Sequence, residues 1–100
     1  MIKHIVMMRL VELDIREKEF QRRLIKEKLE ALQRIVPSLI SMEVGLNTSD
    51  RDIAFDLVLV STFKDEAGLE AYLLHPEHIL VLNYLRSLVK ETAVTDYYLD

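Results

Sequence analysis

Two stretches of this chain carry apolar residues on both faces of an alternating pattern. In the first, Ile2 to Leu10, the even positions hold Ile2, His4, Val6, Met8 and Leu10, and the odd positions include Ile5 and Met7. In the second, Phe55 to Phe63, the side chains of Phe55, Leu57, Leu59 and Phe63 share one face, and Val58 and Val60 share the other. A strand that is apolar on both sides has to be covered on both sides. One layer of helices covers one face of a sheet. The second face needs another cover, and that requirement restricts what a chain of 100 residues, the size of a single domain, can fold into.

The segments between these strands supply the helices. Asp14 with Glu17 three residues on forms a helix-start capping pattern. The predicted helix carries Phe20, Leu24, Leu32 and Ile35, with Ile25, Leu29 and Val36 widening the stripe, until Pro37 forbids its continuation. Its charged residues, Arg16, Lys18, Arg22, Arg23, Lys26, Glu27 and Glu30, are read as a solvated surface. Leu39 to Leu46 reads as a second strand, and the polar run from Gly45 to Ile53 as a hairpin loop. Asp65-Glu66 starts a short helix through Leu74, and Pro76 opens another from about Glu77 to Val89. Thr92 to Leu99 closes the chain as a strand. The order β-α-β-β-α-α-β predicts an α+β, ferredoxin-like fold: a four-stranded antiparallel sheet with its helices on one face, and the second helix broken in two. The domain spans 1–100. The opposite sheet face then presents Ile5, Met7, Val58 and Val60, and a twofold homodimer, sheet face against sheet face, covers it economically.

Composition agrees with that outlet. Half of the residues are hydrophobic and 30% are charged, a generous apolar share for a small lone monomer. The formal net charge is −4, with Lys and Arg scattered, so neither nucleic acid nor an anionic membrane is an expected partner. The chain has no cysteine, which removes disulfides, thiol catalysis and thiolate metal sites. No signal peptide or membrane span is read at the N-terminus, and a cytoplasmic location is the expectation.

Chemistry near neutral pH has to come from histidine. His75 and His78 lie in Tyr72-Leu73-Leu74-His75-Pro76-Glu77-His78, and the remaining one, His4, sits within the first strand. His78 falls in the first turn of the helix begun by Pro76, where the helix dipole and partial burial both disfavour imidazolium. A neutral imidazole there could act as a general base, with Tyr72 fixing its tautomer or stabilising an enolate. His4 meets them only if it faces the helices together with Ile2, Val6 and Met8. The alternative is structural: His75 and His78 fill the break between two helices, and His4 is a buried histidine bonded to a backbone carbonyl or a tyrosine. If Leu29, Leu57 and Leu59 share the space, any cavity is small and apolar. No metal site is expected, because His-Pro-Glu-His lacks the spacing of the zinc-protease motif. No cofactor is expected either: Gly45 and Gly68 are the only glycines, so there is no phosphate-cradling loop.

Across nearly its whole length the chain resembles the Dabb family of stress-responsive dimeric α/β-barrel proteins. The resemblance rests on Lys3-His4-Ile5-Val6, Ile35-Val36-Pro37, the run Asp56 to Phe63, the segment Tyr72 to His78, and Val94-Thr95-Asp96-Tyr97. It implies a homodimer in which two ferredoxin-like sheets form a shared barrel. One plant branch of that family is a polyketide cyclase closing a poly-ketone by an intramolecular aldol step. Residues matching Tyr72 and His78 form its acid–base pair, with the match to His4 nearby. Leu57 and Leu29 stand here where that branch has a histidine and a tyrosine. The expected function is thus a small stress-responsive dimeric barrel protein of undefined activity. The alternative is a cofactor-free acid–base enzyme or binder for a small hydrophobic carbonyl compound, polyketide-cyclase-like or, by fold analogy, monooxygenase-like.

Overall fold

The computed structural model describes residues 1–99. Its elements run β1 (Ile2–Leu10), α1 (Ile15–Ala31) tightening into a 3₁₀ turn at Leu32–Arg34, β2 (Ser41–Leu46), β3 (Leu57–Phe63), α2 (Glu66–Leu73), α3 (Pro76–Leu85) and β4 (Val89–Tyr98). The strands form one sheet in the order β2-β3-β1-β4, each neighbouring pair antiparallel. This is the expected ferredoxin-like layout. All three helices lie on one face, so Ile2, Val6, Met8 and Leu10 of β1 and Leu57, Leu59 and Phe63 of β3 are buried beneath them. The other face is uncovered in the single chain: Ile5, Val58 and Val60 are half-buried and Met7 is exposed. No helix among the described residues is long and apolar enough to cross a membrane.

The first helix corrects the expected stripe. Asp14 does cap it, its Oδ1 accepting the Glu17 N–H at 2.9 Å. The buried line is Ile25, Leu29, Leu32 and Val36, while Phe20 and Ile35 are 59% and 47% exposed. The apolar arc is wider than the strip of helix that touches the sheet, and the tightened turn after Ala31 rotates Ile35 outward. Two of the charged residues read as solvated are also structural. Lys26 Nζ donates to Val44 O at 2.6 Å and to Glu30 Oε2 at 2.9 Å, and that carboxylate accepts the Val44 N–H at 3.0 Å. Gln33 treats Ile40 O and the Met42 N–H in the same way. These contacts occupy the outward backbone groups of edge strand β2, which would otherwise invite another strand.

The other boundary changes have local causes. β3 starts at Leu57 rather than Phe55, because Asp56 turns its Oδ2 to the Leu10 N–H at 2.7 Å, where the β1–β4 register shifts. Arg9 stacks on the Phe55 ring at 4.3 Å beside it. α3 stops at Leu85, and β4 begins at Val89 instead of Thr92. The polar run Lys90-Glu91-Thr92 hides that start, since β4 is an edge strand with few buried positions.

Candidate active site

The break between α2 and α3 is built from capping groups. Asp65 Oδ1 accepts the Gly68 N–H at 2.8 Å and starts α2. α2 ends at Leu73, leaving its last carbonyls without helical partners. His75 is the N-cap of α3, with extended backbone and Nδ1 accepting the Glu77 N–H at 3.1 Å, and Pro76 follows at the first helical position. His75 therefore does not join the site: its ring nitrogen is spent on the cap. His78 lies in the first turn, as expected, and is 6% exposed.

The His78 tautomer follows from one bond. Its Nδ1 lies 3.1 Å from Leu73 O, and a carbonyl can only accept, so Nδ1 carries the proton. Nε2 keeps its lone pair. Burial pushes the His78 pKa below the ordinary histidine value, and nearby His4 and His75 push the same way, outweighing the opposing pull of the Leu73 bond. Tyr72 packs against this ring at 4.2 Å between centroids and against Phe63 at 5.2 Å. Its hydroxyl is buried and has no hydrogen-bond partner. Burial raises its pKa far above the usual phenol value, so it stays a donor. No hydrogen bond joins Tyr72 to His78; the two meet through their ring faces.

His4 approaches from the sheet. It faces the helices, 7% exposed, and β1–β4 pairing sets it opposite Asp96. His4 Nδ1 donates to Asp96 Oδ1 at 2.5 Å, leaving Nε2 open. Sequence reasoning missed this role of Asp96, because the signal is a cross-strand register rather than a local motif. His4, Tyr72 and His78 line one cleft of about 470 Å³ between α3 and the β1–β4 half of the sheet. Val6, Met8, Leu29, Leu59, Leu82 and Val94 supply apolar wall. Leu57 is buried elsewhere, so the expected narrowing by three leucines is carried by two. No group of three or more metal-ligating side chains occurs among the described residues.

One family model, described as Stress responsive A/B Barrel Domain, matches residues 2–99 of the chain, a span that includes His4, Tyr72, His78 and the whole sheet. The chain belongs to the Dabb family. No curated protein gives a significant match to the sequence. Among solved structures, a dimeric protein of unknown function and ferredoxin-like fold from Bacteroides fragilis is 29% identical, with TM-score 0.90 over 98% of this chain and 95% of that one. A dimeric ferredoxin-like protein of unknown function from Thermobifida fusca is 22% identical, with TM-score 0.79 over 98% and 90%. The hydroxynitrile lyase of Passiflora edulis is 19% identical, with TM-score 0.77 over 99% and 93%. The Dabb fold thus recurs in proteins of unknown function and in a named enzyme.

Proposed function

We propose that this Dabb protein is a homodimer whose clefts bind a small hydrophobic carbonyl compound and perform acid–base chemistry on it with side chains alone. One observation carries the chemistry: a buried, protonated Tyr72 hydroxyl without a partner stands beside a neutral His78 whose Nε2 is open, on the wall of an apolar cleft. A buried donor left unsatisfied costs about 1–3 kcal/mol, and a ligand carbonyl would relieve that cost. With the carbonyl oxygen on Tyr72, His78 is the base nearest to hand for the α-hydrogen, its ring centroid 4.2 Å from that of Tyr72. The imidazole takes that proton on Nε2, the C–H electrons move into the enolate, and the phenol hydrogen bond stabilises the new charge. His4, oriented by Asp96, offers a second open Nε2 across the cleft. The named lyase among the structural neighbours supports only the capacity of the fold to hold a catalytic site.

The test is hydrogen–deuterium exchange at the α-carbon of 2-octanone in D₂O. Wild type should accelerate exchange, and His78→Ala should return it to the buffer rate. Equal rates for wild type and His78→Ala would refute the assignment of the base. The dimer rests on the uncovered Ile5, Met7, Val58 and Val60 face and on the two neighbours described as dimeric. Light scattering at micromolar concentration should give about twice the chain mass of 11.7 kDa. Val58→Asp, which would bury unpaired carboxylates at such an interface, should break the pair.

A further inference from the structure

The cleft has two polar ends, and only one is accounted for by acid–base chemistry. At the far end stands Arg86, the residue that caps the C-terminus of α3 and lines the same cleft. It is exposed, forms no ion pair among the described residues, and makes one side-chain hydrogen bond, from Nη2 to Asn83 Oδ1 at 3.2 Å. No aspartate or glutamate lines the cleft. An apolar groove lined by one guanidinium and no carboxylate, the Asp96 carboxylate being bonded to His4 at the other end, is complementary to an anion attached to an apolar body.

The spacing between the ends follows from the fold. His78 and Arg86 are eight residues apart along α3, about 12 Å of axial rise. The bond to Asn83 turns the guanidinium back along the helix by up to one turn, so its separation from the imidazole along the helix axis is between about 7 and 12 Å. The sheet agrees: from His4 to Met8 along β1 is about 13 Å, and register places Asp96, Val94 and Thr92 opposite His4, Val6 and Met8. Between the ends the wall is apolar. An extended carbon chain bridging such a gap has on the order of six to ten carbons.

We infer that the cleft is built for a medium-chain oxo acid, with its carboxylate on Arg86 and its carbonyl at Tyr72 and His78. This deepens, and rests on, the carbonyl-binding reading above. A cation at a helix C-terminus also complements the helix dipole; an arginine serving only that purpose would leave the ligand preference of the cleft unchanged.

Calorimetric titration with octanoate, octanamide and 2-octanone separates these cases. Wild type should bind octanoate about tenfold or more tightly than octanamide, with the gap closing as salt is added. Arg86→Gln should bring octanoate down to the octanamide level and leave 2-octanone unchanged. Arg86→Lys, which keeps charge but loses the planar fork, should retain part of the preference. The wild-type comparison of acid with amide needs no variant to fold. Binding of 2-octanone without any advantage for octanoate, or an advantage that survives Arg86→Gln, overturns the oxo-acid assignment and leaves the carbonyl site standing. If none of the three probes binds, both fail.

Discussion

Replacing Tyr72 by Phe should make this protein more stable and less able to hold a carbonyl ligand. The side chain is 1% exposed, and its ring is fixed between Phe63 and His78 at centroid distances of 5.2 and 4.2 Å. Phenylalanine keeps both ring contacts. The atom removed is the buried hydroxyl oxygen that has no partner. Burying such a group costs about 1–3 kcal/mol, so deleting it should return about 1–2 kcal/mol. For a domain of this size each kcal/mol moves the melting temperature by about 4–8 °C, which puts the gain at roughly 4–16 °C. Tyr84 provides the control, because its hydroxyl donates to Gln21 Oε1; Tyr84→Phe should cost about 0.5–1.5 kcal/mol. Urea denaturation followed by circular dichroism gives both numbers, at one fixed protein concentration because dimerisation is coupled to unfolding. The same Tyr72→Phe protein should lose affinity for 2-octanone, the trade of stability against function expected when a site keeps an unsatisfied donor. A Tyr72→Phe protein less stable than wild type would show that the hydroxyl already has a partner, and would remove the basis for its role.

Three further outcomes follow from individual contacts. The lowered pKa of His78 means that the unfolded chain binds its proton more readily than the folded one, so stability should be level above about pH 6.5 and fall as the pH drops below it; denaturation midpoints from pH 8 to 5 should show a shallower fall in His78→Gln than in wild type. Asp56→Ala strips the Leu10 N–H of its acceptor at the register shift between β1 and β4 and should cost about 1–3 kcal/mol in urea unfolding. Asp96→Ala removes the acceptor of His4 Nδ1, and the ¹⁵N shift of that nitrogen should move as its hydrogen bond is lost, while His78 is left unchanged.

The element order and the uncovered sheet face were legible because they rest on period and on breakers. Pro76 starts α3, Pro37 bars any helix beyond the 3₁₀ turn that already closes α1 at Leu32–Arg34, and Asp14 and Asp65 cap for local reasons. What sequence misplaced depends on distant partners. Phe20 belongs to the apolar arc of α1 but overhangs the contact with the sheet. Lys26 and Glu30 look like any solvated i,i+4 pair until β2 is laid beside them, with Val44 between their head groups. β4 has no alternating burial of its own, so its polar beginning reads as loop.

The same distinction separates the parts of the site. Tyr72 and His78 are neighbours in sequence, and the helix break that joins them is written in Pro76, so their pairing is readable locally. His4 is placed by the core: Ile2, Val6, Met8 and Leu10 must face the helices, and a residue at an even position goes with them. Asp96 has no such tether. Its face and its partner are set by the pairing of β4 with β1, in which Ile2 stands opposite Tyr98 and Val6 opposite Val94. A slip of one residue would turn Asp96 to the uncovered face and leave His4 without its acceptor. The register that buries the core of β1 is therefore also what orients its histidine. A change that loosens β4, even far from the cleft, should reach the site through that single carboxylate.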